Sequence, residues 1–232
     1  MGTKERRERE REAIRDKILD AARELFVNEG YDAVTMRKIA QRIEYSPTAI
    51  YFHFKDKSEV MRELCDRDFA QLAQQLREIA TLPDPVERLR ATGRGYVQFA
   101  LHFPNHYRLM FMTPRPECDE AESAIERGNP EEDAYAFLRA TIDDCIAQGR
   151  FHREFTDADL LAQTMWAGMH GVVSLSIAKE NDDWVDFRPA VERAELMSEA
   201  LIRGLEVGLA AAAAAKEKAG RGAGRKATRA RT

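Results

Sequence analysis

Several side chains have the types that enzymes use for proton transfer and nucleophilic attack. Asp143, Asp144 and Cys145 follow one another, and the chain holds five histidines. Consecutive residues on a helix point in different directions, so the two carboxylates diverge rather than converge on one substrate atom. The sequence also lacks a glycine-rich phosphate loop, an HExxH pair and a nucleophile elbow. We therefore predict that the chain is not an enzyme and uses no cofactor and no metal.

A second set of side chains, between residues 35 and 57, has the types that contact nucleic acid. The Arg37 guanidinium can pair with guanine, and the Thr48 hydroxyl can donate or accept a hydrogen bond at a base edge. Pro47 and Phe52 offer apolar surface that fits a thymine methyl group. The sequence therefore predicts four base-reading residues, which a helix must present outward.

Three short helices are predicted to position these residues. In the first, apolar residues recur at helical spacing as far as Gly30, which ends the helix. Thr35 is the predicted N-cap of the second. The apolar positions of the first helix are Ile14, Ile18, Ala22, Leu25 and Phe26, and those of the second are Met36, Ile39, Ala40 and Ile43.

The third helix is predicted to run from Pro47 to Phe54. Ser46 is its N-cap and Pro47 its first residue, a strong start signal. Ile50 and Phe54 are predicted to point into the core, while Pro47, Thr48, Tyr51 and Phe52 point out. Two short helices joined by a tight turn form a helix-turn-helix, whose second helix enters the major groove of DNA.

Two runs in this region resemble the DNA-binding signature of the tetracycline-repressor (TetR) family. They are TMRKIA at residues 35–40 and YSPTAIYFHFKDK at residues 45–57, and the resemblance extends over about residues 14–60. It implies a sequence-specific DNA-binding regulator. It also assigns phosphate contacts to polar side chains, with the capping serine counted among the DNA-binding residues. The phosphate-contacting residues are Thr35, Tyr51, His53 and Lys57, and the capping serine is Ser46.

Two features of the motif leave its geometry open. Glu44 stands where the family usually has glycine, so we expect a strained or adjusted turn. Tyr51, Phe52 and His53 could alternatively close a small core instead of facing DNA.

Charge is distributed unevenly along the chain, whose formal net charge is −4. Residues 1–60 carry 13 Lys and Arg against 12 Asp and Glu; residues 61–215 carry 16 against 27, and residues 216–232 carry 7 against 1. Nucleic-acid-binding domains are usually more basic than residues 1–60, so the motif carries the prediction. Phosphates would repel the acidic middle segment, which favours DNA contact by the ends of the molecule.

The two ends of the chain have different predicted properties. The alternating charges of residues 4–12 are typical of a solvated helical extension, and an arm entering the minor groove is the alternative. Residues 216–232 have too few apolar groups to pack and are predicted to be disordered.

The chain has no signal-peptide pattern and no apolar run of the roughly 18 residues that a membrane span needs, so we predict a cytoplasmic protein. Isolated reduced thiols are predicted at Cys65, Cys118 and Cys145.

Hydrophobic periodicity predicts six further helices and hence an all-α fold of about nine helices. We predict a helix-turn-helix domain at residues 1–60, a larger helical ligand-binding and dimerisation domain at residues 61–215, and the basic tail. The acidic segment 113–130 is predicted to be a mobile flap, because it contains many helix breakers. The further helices are a long one after Lys57, helices over 85–103, 107–112 and 130–148, and two that begin at Asp157 and Pro189.

Large soft side chains in the second domain could line a cavity for a small apolar or aromatic effector. The runs HFPNHYRLMF at residues 102–111 and WAGMHG at residues 166–171 resemble a TetR-family regulatory subtype with spaced Trp, His and Gly. A plain hydrophobic core is the alternative, and His170 could either bind ligand or brace Trp166. The candidate ligand-binding residues are Phe99, His102, Phe103, Tyr107, Met110, Phe111, Phe137, Trp166, Met169 and His170.

The last two helices, at about residues 158–178 and 190–210, carry more apolar surface than a peripheral position can cover. By resemblance to the family they form a homodimer interface, which would present two recognition helices to a palindromic double-stranded operator. The predicted function is a repressor that a small-molecule effector releases from DNA, with activation of transcription as the alternative. An architectural DNA-binding protein without a ligand is the alternative, and a closed core between residues 99 and 170 would support it.

Overall fold

The computed structural model describes residues 3–114, 123–179 and 184–207. Within those ranges the chain is all-helical, as predicted, with nine α-helices and one isolated bridge between Phe151 and Glu206. The helices are α1 (Thr3–Glu29), α2 (Met36–Arg42), α3 (Pro47–Tyr51), α4 (Lys57–Ile79), α5 (Pro85–His102), α6 (Pro104–Phe111), α7 (Ala134–Ala147), α8 (Ala158–Ala178) and α9 (Ala190–Leu205).

The chain divides into two compact units. The first contains the residues up to Arg77 together with Gln98–Ala134, and the second contains Glu78–Val97 together with the residues from Tyr135 onward. Helix α5 contributes to both units, because the boundary falls inside it.

The core of the first unit holds the helix-turn-helix together. Ile18 and Phe26 of α1, Ile39 of α2 and Ile50 of α3 are fully buried in one cluster, with Phe54 just beyond α3. The predicted inward orientation of Ile50 and Phe54 is therefore confirmed. Apolar burial on this scale stabilises a fold by roughly 25 cal/mol per Å² removed from water.

The predicted N-caps of α2 and α3 and the predicted stop of α1 are confirmed. The Thr35 hydroxyl accepts a hydrogen bond from Lys38 N at 3.2 Å, and the Ser46 hydroxyl accepts one from Ala49 N at 3.2 Å. Each bond satisfies a backbone N–H that has no partner inside the first helical turn. Gly30 follows α1 with φ 82°, a left-handed conformation that glycine adopts without strain.

Two predicted boundaries around short helices are wrong. Helix α3 ends at Tyr51 rather than at Phe54, because the chain tightens there and His53 N donates to the Ile50 carbonyl at 2.9 Å. Helix α6 begins at Pro104 rather than at Tyr107, since proline fits the first turn of a helix.

The predicted start of α7 is also wrong. The helix begins at Ala134 rather than at Pro130. Asn129 holds the intervening residues in a turn, because its side-chain oxygen accepts from Glu131 N at 3.0 Å and its carbonyl accepts from Asp133 N at 2.7 Å. Local side-chain to backbone bonds of this kind compete with helix formation.

A buried charged cluster joins three helices within the first unit. The Asp68 carboxylate of α4 accepts a hydrogen bond from Arg23 of α1 and lies 3.0 Å from Nδ1 of His106 on α6. Asp68 and Arg23 are both buried. Because a buried charge is costly without its partner, packing arrangements that would separate Asp68 from Arg23 are disfavoured.

The second unit is built from the first part of α5 with α7, α8 and α9. Its apolar core is bordered by ion pairs in which Arg90 binds Glu199 at 3.0 Å and Arg150 binds Asp84 at 2.7 Å. Helices α8 and α9 approach closely at Gly168, where a Cβ atom would lie 2.9 Å from a methyl carbon of Leu201. A glycine at this position therefore favours the close packing of the two helices.

Part of the sequence falls outside the described ranges. The predicted flap lies partly outside them, and the basic tail and Cys118 lie wholly outside. At the described end of the flap, the Asp66 carboxylate accepts hydrogen bonds from Ser123 Oγ at 2.9 Å and Ala124 N at 3.0 Å. Among the described helices, none combines the length and the apolar character that crossing a membrane requires.

The turn between α2 and α3 contains the expected backbone strain. Glu44 has φ 61° and is the one non-glycine residue with a positive φ in the described part of the chain. We expect Glu44→Gly to raise the free energy of unfolding by about 1 kcal/mol, because glycine adopts this conformation without a Cβ clash. Urea unfolding measures the change. Glu44→Ala keeps the clash and is the control, so an equal gain from both variants would contradict the explanation.

Candidate nucleic-acid interface

Helix α3 presents an uncharged, solvent-exposed face. Pro47 and Thr48 are exposed, and Tyr51 and Phe52 are 55% and 77% exposed. The alternative that Tyr51 and Phe52 close a small core is therefore wrong. An aromatic ring left in water is costly for the isolated protein, which points to a surface that a partner covers.

The positive charges on α2 differ in their availability. Lys38 pairs with Glu29 of α1 at 2.5 Å, and Arg42 pairs with Glu24 of α1 at 2.7 Å. Arg37 is exposed and forms no salt bridge within the described ranges. Its guanidinium is therefore the one on α2 that remains free to bind a base or a phosphate.

The two capping hydroxyls can perform a second task. Thr35 and Ser46 each use an oxygen lone pair to accept a backbone hydrogen bond. A hydroxyl that accepts one hydrogen bond still has its own hydrogen to donate. Both caps are thus able to donate to a phosphate oxygen without losing their helix contact.

Lys57 begins α4 and already has a structural contact. Its ammonium donates to the Tyr31 carbonyl at 2.7 Å and lies 4.0 Å from the centre of the Tyr31 ring. The side chain is half-buried. An ammonium has three N–H donors, so two remain for a phosphate.

His53 lies at the edge of this surface and is half-buried. Burial, together with the positive charges of Arg11 and Arg15, lowers the pKa of its imidazole below the ordinary value of 6.5. The ring is consequently neutral at pH 7. Its buried Nδ1 has no hydrogen-bond partner among the described residues, so any phosphate contact would come from a neutral ring N–H.

Arg15 contacts the segment around His53, and the sequence alone did not indicate this role. Its guanidinium donates to the His53 carbonyl at 2.5 Å, binds the Glu63 carboxylate, and lies 4.3 Å from the centre of the Phe54 ring. The available sequence signal was its position beside Ile14, next to the apolar face of α1. Arg15 thereby fixes the segment that follows the recognition helix.

Two family profiles match this chain. The profile described as "Bacterial regulatory proteins, tetR family" matches residues 18–64, and "Tetracyclin repressor-like, C-terminal domain" matches residues 89–201. Together they cover more than half of the sequence.

The chain belongs to the TetR family.

This assignment confirms the prediction of a regulator that is not an enzyme.

Individual relatives of this TetR-family chain agree with the assignment. It is 35% identical over 102 residues to the HTH-type transcriptional activator FasR of Mycolicibacterium smegmatis, and this alignment covers 44% of this chain and 47% of the relative. It is 41% identical over 61 residues to the HTH-type transcriptional repressor Rv1474c of Mycobacterium tuberculosis, covering 26% and 33%. The alignments thus span less than half of each curated relative.

Solved structures show the same fold over most of the length. The fatty acid degradation regulator FadR from Bacillus halodurans superposes with a TM-score of 0.66 over 82% of this chain and 95% of that chain, at 18% identity. At this identity the similarity establishes the TetR-family fold and nothing finer.

Six of the candidate ligand-binding residues of this TetR-family chain lie in the first unit. The rings of Phe99 and Phe103 are 5.6 Å apart, and those of Tyr107 and Phe111 are 4.8 Å apart. Phe99, Tyr107 and Met110 are buried, whereas His102 is exposed on α5. The structure thus brings several of the predicted residues together as a cluster of contacting rings.

The other four candidates lie in the second unit. Trp166 donates from Nε1 to the hydroxyl of Tyr96 at 3.0 Å, and its ring centre is 6.4 Å from that of His170. Burial lowers the pKa of His170 below 6.5, so its ring is neutral at pH 7. Phe137 and Met169 are buried. Tyr96 is a partner that the sequence did not indicate.

A separate groove of about 620 Å³ runs along α4 within the first unit. None of the predicted ligand-binding residues lines it, and its walls are mostly charged, with Arg62, Glu63, Asp66 and Arg77 among them. A groove of this polarity does not fit the apolar effector predicted from the sequence.

Proposed function

We propose that this chain is a sequence-specific DNA-binding transcriptional repressor that binds a palindromic operator as a homodimer. The observation that carries the proposal is the geometry of α3. Ser46 caps the helix, Ile50 anchors it in the core, and Thr48, Tyr51 and Phe52 stand exposed. This is the arrangement that a recognition helix needs to enter a major groove.

We propose different roles for the exposed residues of the motif. Arg37 and Thr48 hydrogen-bond to base edges, and Pro47 and Phe52 contact thymine methyl groups. Phosphates are held by polar donors that fix the register of the protein on the duplex without reading sequence. These donors are Thr35, Ser46, Tyr51, His53 and Lys57.

The exposed apolar surface of α8 and α9 supports the homodimer. Between Leu160 and Ala178, α8 carries no Asp, Glu, Lys or Arg, although Leu160 and Leu175 are solvent-exposed. On α9, Leu196 is 73% exposed. Exposed apolar side chains on two packed helices favour a symmetric interface, in which two copies bury the same surface against each other.

The regulatory domain supports control by a small molecule. Each unit has large side chains with few polar groups: the ring pairs Phe99–Phe103 and Tyr107–Phe111 lie in the first unit, and Trp166 with His170 lies in the second. Such a lining fits an apolar or aromatic effector. We propose that effector binding favours a conformation that does not fit the operator, and that the protein acts in the cytoplasm, where it meets its DNA.

The test is selection of duplexes from a random 30-base-pair library, followed by gel shifts with the enriched sequence. We expect a palindromic duplex whose binding by Tyr51→Ala is about 100-fold weaker, since each hydrogen bond to a phosphate is worth about 1.5 kcal/mol and the homodimer loses one at each half-site. Tyr45→Ala is the control at a partly exposed tyrosine in the preceding turn. No enrichment of any sequence, or equal binding by both variants, would refute the proposal.

Release of the duplex by compounds from an aromatic and fatty-acyl library tests effector control.

A further inference from the structure

The alternating charges at the start of α1 separate into two stripes on the helix surface. Helix α1 is continuous from Thr3, so its residues repeat every 3.6 positions. Positions spaced i, i+3, i+7 and i+11 lie along one face. One such set is basic and comprises Lys4, Arg7, Arg11 and Arg15; the next set is acidic and comprises Glu5, Glu8, Glu12 and Asp16.

Two residues of the acidic stripe, Glu12 and Asp16, pair with α4. Arg67 of α4 binds Glu12 at 2.9 Å and Asp16 at 2.5 Å, and it also binds Glu63 of its own helix. The Glu12 and Asp16 carboxylates are therefore paired with a cation on the side where α4 lies, and their side chains are 59% and 52% exposed.

The basic stripe lies toward the end of the recognition helix. Arg15 donates to the His53 carbonyl, and the charge of Arg11 contributes to the lowered pKa of the His53 imidazole. Lys4, Arg7 and Arg11 are exposed, and none of them forms a salt bridge within the described ranges. By contrast, Arg6 on another face pairs with Glu10 at 3.4 Å.

We infer that the first turns of α1 form a second DNA-contacting element, in which Lys4, Arg7 and Arg11 bind phosphates flanking the site read by α3. This inference rests on the proposed function. The stripe continues the surface that carries His53, and its three unpaired cations complement a polyanion. Arg11 and Lys4 are seven residues apart, which is about 10 Å along the helix and equals roughly three base-pair steps.

The acidic stripe explains why a helix with balanced charge can bind DNA on one side. Phosphates would repel its carboxylates, but those of Glu12 and Asp16 are paired with Arg67 of α4. The basic stripe thus carries unpaired positive charges, while these two negative charges are compensated by the protein itself. The net charge of residues 1–60 consequently understates the field at this surface.

The test compares two triple variants that remove the same charge from different faces of α1. The first is Lys4→Gln, Arg7→Gln and Arg11→Gln. The second is Arg6→Gln, Arg9→Gln and Lys17→Gln, whose positions lie outside the basic stripe and are exposed. Affinity for the duplex that the wild type selects is measured from 50 to 300 mM salt.

We expect the first variant to lose about 5 units of the slope of log affinity against log salt, since each phosphate contact contributes about 0.9 and the homodimer loses three contacts in each protomer. Its affinity at 100 mM salt should fall roughly 10-fold or more, while the second variant stays close to the wild type. Trimming the flanking base pairs from the duplex should weaken the wild type and leave the first variant unchanged. Circular dichroism confirms that both variants keep their helices.

The outcomes separate the two proposals. If the wild type enriches a palindrome and Tyr51→Ala weakens its binding, but the two triple variants behave alike, the inference about the basic stripe is overturned and the proposed function stands. If the wild type selects no sequence, the proposed function itself fails.

Discussion

Replacing Asp68 with alanine should lower the free energy of unfolding by about 3 to 5 kcal/mol, the range found when one partner of a buried ion pair is removed. The variant leaves the buried Arg23 guanidinium without its carboxylate, and Arg23 Nε already has no hydrogen-bond partner among the described residues. His106 loses its contact as well. Urea unfolding followed by circular dichroism measures the change.

Asp16→Ala is the control for this prediction. It removes a carboxylate from an ion pair with Arg67 that is largely exposed, at 2.5 Å. Exposed pairs contribute up to about 1 kcal/mol, so this variant should stay close to the wild type. Equal destabilisation by the two substitutions would contradict the importance of burial.

A double variant tests the same cluster by removing both buried charges instead of one. Replacing both Arg23 and Asp68 with apolar residues of similar size removes the buried charges together. Apolar replacement of a whole buried pair is often neutral or stabilising, so Arg23→Met with Asp68→Leu should be more stable than Asp68→Ala. If it is less stable, the cluster contributes more than compensation of buried charge.

Placing glutamate on the exposed face of α8 should convert the protein to monomers and weaken operator binding roughly 10²- to 10⁴-fold. The variant is Ala167→Glu with Leu175→Glu, at two exposed positions of the helix without acidic or basic residues after Asp159. In a symmetric interface these carboxylates approach their own copies, and like charges repel. A monomer loses the effective concentration that links the two half-sites.

Light scattering coupled to size exclusion measures the mass, which for one chain is 26.4 kDa. Leu82→Glu introduces one glutamate at a partly exposed leucine outside α8 and α9, and it should remain dimeric with wild-type affinity. A wild type that is already monomeric at micromolar concentration would contradict the homodimer, and a double variant that stays dimeric would place the interface elsewhere.

The helix-turn-helix could be predicted from the sequence because its signals are local. Thr35, Ser46 and Pro47 mark helix starts through their own backbone and side-chain chemistry, and Gly30 marks a stop. The strained turn could be predicted as well, because Glu44 occupies a position where the family usually has glycine.

The boundaries of helices next to irregular segments could be predicted less accurately than those of the helix-turn-helix. Pro130 is as good a helix start as Pro47, but Asn129 holds the following residues in a turn. The competition between a turn and a helix depends on side-chain oxygens that reach specific amides, and periodicity does not record it.

The predicted ligand-binding residues show a second limit of prediction from the sequence. Aromatic and methionine residues at helical spacing have the same pattern whether they line a cavity or fill a core. The structure places rings such as Tyr107 and Phe111 in contact. Whether an effector separates them is a property of the bound state, so it remains part of the proposed function.

The sequence by itself determined the helix-turn-helix, the all-helical fold and the family, because these follow from local capping, periodicity and a contiguous motif. Only the tertiary structure decided which charges are paired. Asp68 and Arg23 are 45 residues apart, and the partners of Glu12 and His53 lie on other helices. Ion pairing depends on distances of a few Å between distant parts of the chain, and these distances exist only once the helices have packed.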